Sequence, residues 1–411
     1  MARVIELGSE LLRTDLFLDN ENYLKKLKFL KELKSENEIE ILHIKALESW
    51  REGRYINATE IWEELLKIDS LDVIALKFAH DAYFYLGQSN NICSSVEKHL
   101  NIYEQDDHVP MELYGYFMGM LAFGLEEVHR YDEGMKAAIK AIEINQDDAW
   151  ALHAIVHINE MRGEIQKGIE FMKLEENNWA NCQALACHMW WHFCLYLMDQ
   201  GKKDEILKIY DEKISIFIES ITPLDLVDAS ALLFRLYLEG MIEKNDNRWE
   251  KVRNQWKNII HSHALSFNDA HITMVFNNRL IHEEIINSHI QSLENYTNSK
   301  SNDVNHTCAL VHQQVGIPIC KAINAFNDSK FDETIQLLKD VILPGKTHLI
   351  GGSNAQRDVF ELLFLHAIFN SPNKENHPIA KSLLDKRLEK KPHSGQNQRL
   401  VQRFENATTK Q

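Results

Sequence analysis

Apolar residues recur at i, i+3, i+4 and i+7 along most of the chain. The segments ALKFAHDAYFYLG (75–87) and EILKIYDEKISIFI (205–218) carry this spacing, which puts one apolar face on a 3.6-residue helix. No stretch sustains a period-2 alternation between turn signals, so the pattern predicts helices and no sheet. Only 7 Pro and 16 Gly interrupt 411 residues, which fits long helices joined by short turns.

The helical segments repeat. GRYINATEIWEELLKI (53–68) and HRYDEGMKAAIKAIEI (129–144) share a Gly/His-x-Tyr start, a small residue (Ala58, Gly134) three places after the Tyr, and an apolar face. Each is followed by a polar turn, DSLDV or NQDDAW, and a new apolar helix. Helix-joining turns are expected at Gly53, Gly87, His129, Gly163, Gly201 and Gly240, about 34 to 42 residues apart, which brackets the tetratricopeptide period. The fold class expected is all-α, a tetratricopeptide-like α-solenoid of antiparallel helix pairs. Such pairs bury their apolar faces only by stacking on their neighbours, which creates a concave surface. The organisation expected is an N-terminal helical segment over 1–37, a repeat array over 38–390 and a polar, frayed C-terminal tail over 391–411. Late helices are placed at 354–369 and 378–390, and the Ser/Asn-rich stretch 288–306 is read as a long connection.

Composition narrows the function classes. A formal net charge of −16 disfavours nucleic acid and anionic membranes as partners, because phosphate contact needs clustered Lys and Arg. The opening MARVIELGSELLRTDLFLDN has no uninterrupted apolar core, so no secretory signal is expected, and no apolar run is long enough to span a bilayer. The six cysteines make no CxxC pair and are read as reduced, mostly buried thiols. The expected location is cytoplasmic.

The candidate chemistry lies in AWALHAIVHINEMRG (149–163) and ACHMWWHFCLYL (186–197), each with two histidines four residues apart. Counting 3, 6, 10 and 13 places back from each turn selects one helical stripe. Before Gly163 the stripe is Glu160, His157, His153 and Trp150; before Gly201 it includes Trp191 and His188, with His192 one place off. The preceding units contribute Asp81 and Glu126. Neighbouring helices pack about 8–10 Å apart, so these side chains can meet. As a metal site, His153, His157, Glu160, His188 and His192 suit a transition metal such as Zn or Fe. As a metal-free catalytic site, His157, Glu160 and His188 would handle protons. As a ligand pocket, Asp81, Glu126, Trp150 and Trp191 would line the groove, with Arg357 clamping an anion. The plainer alternatives are structural histidines, an Arg357 ion pair at a helix start, Ser353 or Asn354 as a cap, and Asp269 and His271 of FNDAH as capping and packing residues.

The blocks ALKFAHDAYFYLGQ (75–88), DAWALHAIVHINEMRGEI (148–165), LACHMWWHFCLYL (185–197), FNDAH (267–271) and GGSNAQRDVF (351–360) closely resemble the tetratricopeptide repeat protein 38 family. The likeness runs from about residue 38 to 385, with an amino-terminal segment shorter than in animal members. It implies an α-helical repeat array and carries over no catalytic residue.

Three function classes follow. The first is a helical-repeat binding protein holding a small polar ligand or a peptide segment in a His/Glu/Trp-lined groove, alone or as an oligomer. The second is an enzyme using that groove as its active site, with or without a His/Glu-bound metal. The third is a protein–protein adaptor whose histidines are structural.

Overall fold

The computed structural model describes residues 1–14, 20–33, 35–220, 222–277 and 279–409. Among the described residues every regular element is helical and no strand occurs. No helix is long and apolar enough to cross a membrane.

Successive helices pair through a repeated pair of end signals. Gly53, Gly87, His129, Gly163, Gly201 and Gly240 all have φ between +64° and +77°, the left-handed conformation that closes a helix C-terminus. After the 149–161 helix, Gly163 N–H donates to Glu160 O at 3.0 Å and Glu164 N–H to Asn159 O at 2.9 Å. At the other end, Asp148 accepts from the Trp150 and Ala151 amides, as Asp72 does from Ile74 and Ala75, and these bonds satisfy donors the helix leaves open. All six expected turns therefore stand where the sequence places them.

The small-residue slots explain how tightly the pairs pack. Ala58 and Ala138 are fully buried, and a Cβ added to Gly134 would meet Ala122 O at 3.1 Å. Second helices such as Tyr131–Ile144 bury only one stripe, whereas Ala149–Met161, Ala186–Asp199 and Pro223–Leu238 are buried on almost every side. A helix that is apolar all round belongs in an interior. Later helices cover two of them, Asn354–Asn370 packing on Pro223–Leu238 and Gly395–Thr409 on Ala186–Asp199, while Ala149–Met161 is packed between Met111–Glu127, Tyr131–Ile144 and Ile165–Leu174.

Two segments differ from expectation. Residues 395–409 form a helix, not a frayed tail: Leu400 is buried, and Arg399 and Arg403 bond the last carbonyls of the 186–199 and 223–238 helices. The stretch 288–306 is helical through Ser299, because Leu293 and Thr297 are buried on one face, and only the remainder is a connection. All six cysteines are free thiols and five are buried.

Candidate functional site

The 149–161 and 186–199 helices bring His153, His157, His188 and His192 together. One nitrogen of each lies within 4.8 Å of those of the other three, and all four side chains are at most 4% exposed. The i,i+4 spacing explains each pair, and packing of the two helices joins them. The ring centroids of His157 and His192 are 4.4 Å apart, and those of His153 and His188 are 4.9 Å apart.

Carboxylates orient three of the four rings. His188 Nδ1 lies 2.8 Å from Asp228 Oδ2, and His192 Nδ1 lies 3.0 Å from Glu160 Oε2. His157 Nδ1 is 3.3 Å from Glu126 Oε2, close enough for an ion pair but not aligned as a hydrogen bond. A carboxylate favours the Nδ1–H tautomer, which leaves Nε2 as a lone pair, and the Nε2 atoms of His188 and His192 face each other at 3.2 Å, within hydrogen-bond distance. His153 has no hydrogen-bond partner for either nitrogen among the described residues, and it stacks on Phe123 with centroids 5.5 Å apart.

Burial sets the protonation. It holds His153 and His192 well below the ordinary imidazole value, reinforced by the neighbouring histidines, and lowers His157 to about 4 against the pull of Glu127 and Glu160. Burial also raises the Glu126 carboxyl to about 8, with Glu160 adding repulsion. His153, His157 and His192 are thus held as neutral imidazoles, the form that ligates metals.

Around this centre the expected residues separate into two groups. Glu126, Glu160 and Trp191 reach it, the Trp191 ring stacking on His188 with centroids 5.2 Å apart. His192, one place off the counted stripe, stands in the cluster together with the stripe residue His188. Leu195, at a counted stripe position, is instead packed against the apolar core. Trp150 lies edge-on to His153 at 5.8 Å with the Lys77 ammonium 4.7 Å above its ring, one layer out. Asp81 does not join the histidines; it lines a cavity of about 350 Å³ with Lys77, Phe84, Val227, Phe267 and Gln356. Phe84, in the wall of that cavity, packs against Phe123 at 6.1 Å, and Phe123 stacks on His153, so an aromatic layer links the cavity to the centre.

Arg357 is engaged inside the protein. Its guanidinium bonds Gly352 O and Asn354 Oδ1 and lies 3.5 Å from Glu127 Oε2, so it has the helix-start ion pair and not an open anion clamp. Ser353 and Gln356 form a capping box beside it.

Sequence reasoning missed Asp228 and Glu127. Each is a buried acid in a strongly apolar helix, Glu127 next to Glu126 and Asp228 one turn after Asp225, and a charged residue at a core position is the signal that would have found it. It also missed a second buried group, His263, His289 and His312 around Asp269. Of the FNDAH residues, His271 packs as expected, with Nδ1 at 2.7 Å from Phe267 O, but Asp269 is the hub of that group. No protein-family model matches the chain.

Proposed function

We propose that the protein is a helical-repeat metalloprotein of tetratricopeptide type, whose four-histidine centre takes one divalent transition-metal ion. The observation that carries this reading is the pair of Nε2 atoms 3.2 Å apart, each backed by its own buried carboxylate. Two lone pairs at that distance repel unless a proton or a metal ion lies between them. Two imidazoles sharing a tetrahedral ion at about 2.0–2.1 Å would hold their nitrogens ~3.3 Å apart. His153, His157, His188 and His192 are the ligands; Glu160 and Asp228 orient His192 and His188 and offset the ion's charge. Zn and Fe both suit imidazole donors. The tetratricopeptide-type solenoid draws its support from the turn spacing and from the resemblance of the 75–88, 148–165 and 185–197 blocks to the tetratricopeptide repeat protein 38 family.

The cavity that an aromatic layer links to His153 favours a second element of the reading, a small ligand with an apolar body and a polar end, held by the Lys77–Asp81 pair. An enzyme using the centre would draw on Glu160 and His188 for proton handling, since Glu160, at 8% exposed, is the least covered of its carboxylates.

Elemental analysis of untagged protein tests the metal reading. The expected result is that His192→Gln holds about one equivalent of transition metal less than wild type; a difference under ~0.1 equivalent after reloading with Zn(II) or Fe(II) sinks the reading.

A further inference from the structure

The group around Asp269 is built from elements separate from the four-histidine centre. His263 precedes the Ser266–Val275 helix, Asp269 stands in that helix's first turn, and His289 comes from the long Arg279–Ser299 helix. All three are at most 3% exposed.

The hydrogen bonds fix which nitrogen carries a proton. His289 Nδ1 donates to Ile260 O at 2.8 Å, so its Nε2 is a lone pair, and that atom faces Asp269 Oδ1 at 3.6 Å. Neither His289 Nε2 nor Asp269 Oδ2 has a hydrogen-bond partner among the described residues. His289 Nε2 and the unpartnered Asp269 Oδ2 are both buried acceptors in one group, and a bound cation would satisfy both. His263 Nδ1 lies 3.0 Å from the same Asp269 oxygen, while its Nε2 meets Ser292 Oγ at 2.9 Å and can donate there. His312 closes the side wall: its Nε2 donates to His263 O at 3.0 Å and is therefore spent.

We propose that His263, Asp269 and His289 form a second metal site, a two-histidine, one-carboxylate set for a divalent first-row ion. Three protein ligands leave coordination positions open for water or a small molecule, the pattern of catalytic centres and not of closed structural ones. Space for such a ligand lies next door. A cavity of about 550 Å³ is lined by His261, Tyr296, Arg54, Lys300 and His306. The His261 ring stacks over His289 with centroids 6.3 Å apart, and the Tyr296 ring lies 5.7 Å from His263. Ile260 O and Ser292 Oγ are the groups that orient the two imidazoles. The site stands independently of the four-histidine reading, since it shares no residue with it.

Cobalt uptake by the full untagged chain, stripped with a chelator and reloaded with Co(II) alone, tests the proposal. Wild type is expected to bind two equivalents, and Asp269→Asn and His289→Gln one each. His192→Gln should also bind one, with the weaker visible bands of a five- or six-coordinate ion in place of the intense four-coordinate set. Undiminished uptake by Asp269→Asn overturns the second site. So does a wild-type total of one equivalent that disappears in His192→Gln. A single equivalent lost in Asp269→Asn but kept in His192→Gln supports this site and sinks the four-histidine reading instead. Should Asp269→Asn fail to fold, the His192→Gln protein decides: Co(II) must raise its thermal midpoint, and no shift together with no uptake overturns the proposal.

Discussion

His188 and His192 present their Nε2 atoms to each other at 3.2 Å, while their Nδ1 atoms turn outward to Asp228 and Glu160 on different helices. One side of each ring is thus committed to a carboxylate, and the other is aimed at a shared point. If that point holds a metal, the carboxylates act through the rings. Asp228→Asn and Glu160→Gln should each weaken metal affinity by about 10–100-fold without abolishing it, whereas His192→Gln should abolish it. Competition against a chromophoric chelator measures this directly. Equal affinities in wild type and both carboxylate variants would show that the carboxylates are only structural.

Arg235 is buried to 2%, and its guanidinium bonds Asp358 Oδ2 at 3.1 Å and Ala355 O at 2.8 Å. Burial alone lowers its affinity for a proton, and Asp358 offsets that. Asp358→Ala removes the counter-charge and should cost about 3–5 kcal/mol, because it leaves a buried cation unpaired. The double variant Arg235→Met/Asp358→Leu should recover only the part of that loss that comes from Arg235, because Asp358 also bonds Arg387, which keeps Glu361 as its remaining partner. Urea denaturation of the single and double variants gives the comparison. A double variant less stable than Asp358→Ala would contradict it.

How much of this could be read in the chain follows from how local each signal is. The turns were legible because glycine marks left-handed positions; His129, with φ +65°, was found by spacing alone, since its residue type gives no hint. The histidine centre was legible because i,i+4 pairs fall on one face, and two successive first helices carry them. Asp228 as the partner of His188 was not, because it depends on how two helices seat, not on either sequence alone. The Asp269 group draws on residues from 263 to 312 across three elements, so no periodic pattern reports it. The charge on 391–411 suggested solvent, yet two of its arginines serve as caps for buried helices.

His366 supplies a pH signature away from both histidine groups. It is buried in the 354–370 helix, and burial followed by the charges of Arg403 and Arg387 lowers its pKa to about 3. The unfolded chain takes up that proton near pH 6.5, and the folded one does not until about 3. The contribution is therefore fully present above pH 6.5 and is lost as pH falls from there towards 3, by up to about 1.4 kcal/mol per unit. Between pH 6.5 and 5 wild type should lose ~2 kcal/mol more than His366→Gln in urea titrations. Parallel losses in the two proteins would assign the acid sensitivity elsewhere.

The C-terminal helix gives the last expectation. Arg399 reaches Met198 O and Asp199 O, and Arg403 reaches Leu238 O and Glu239 O, so one helical face caps the two helices that enclose His188, His192 and Asp228. Ser394 and the Gly395 amide also bond the Asp199 carboxylate. Helix C-termini leave carbonyls without partners, and cations there stabilise by about 0.3–1 kcal/mol each. Leu400, fully buried, adds about 2–5 kcal/mol by the usual cost of a large-to-small change. Deleting residues 395–411 should therefore lower the thermal midpoint by more than Leu400→Ala does, and Arg399→Ala/Arg403→Ala by less than either. The deletion should also speed hydrogen exchange at the amides of 195–201 and 235–240 first, because those helix ends lose their partners. Unchanged exchange there, with an unchanged midpoint, would mean that the segment is the passive tail its polar composition suggests.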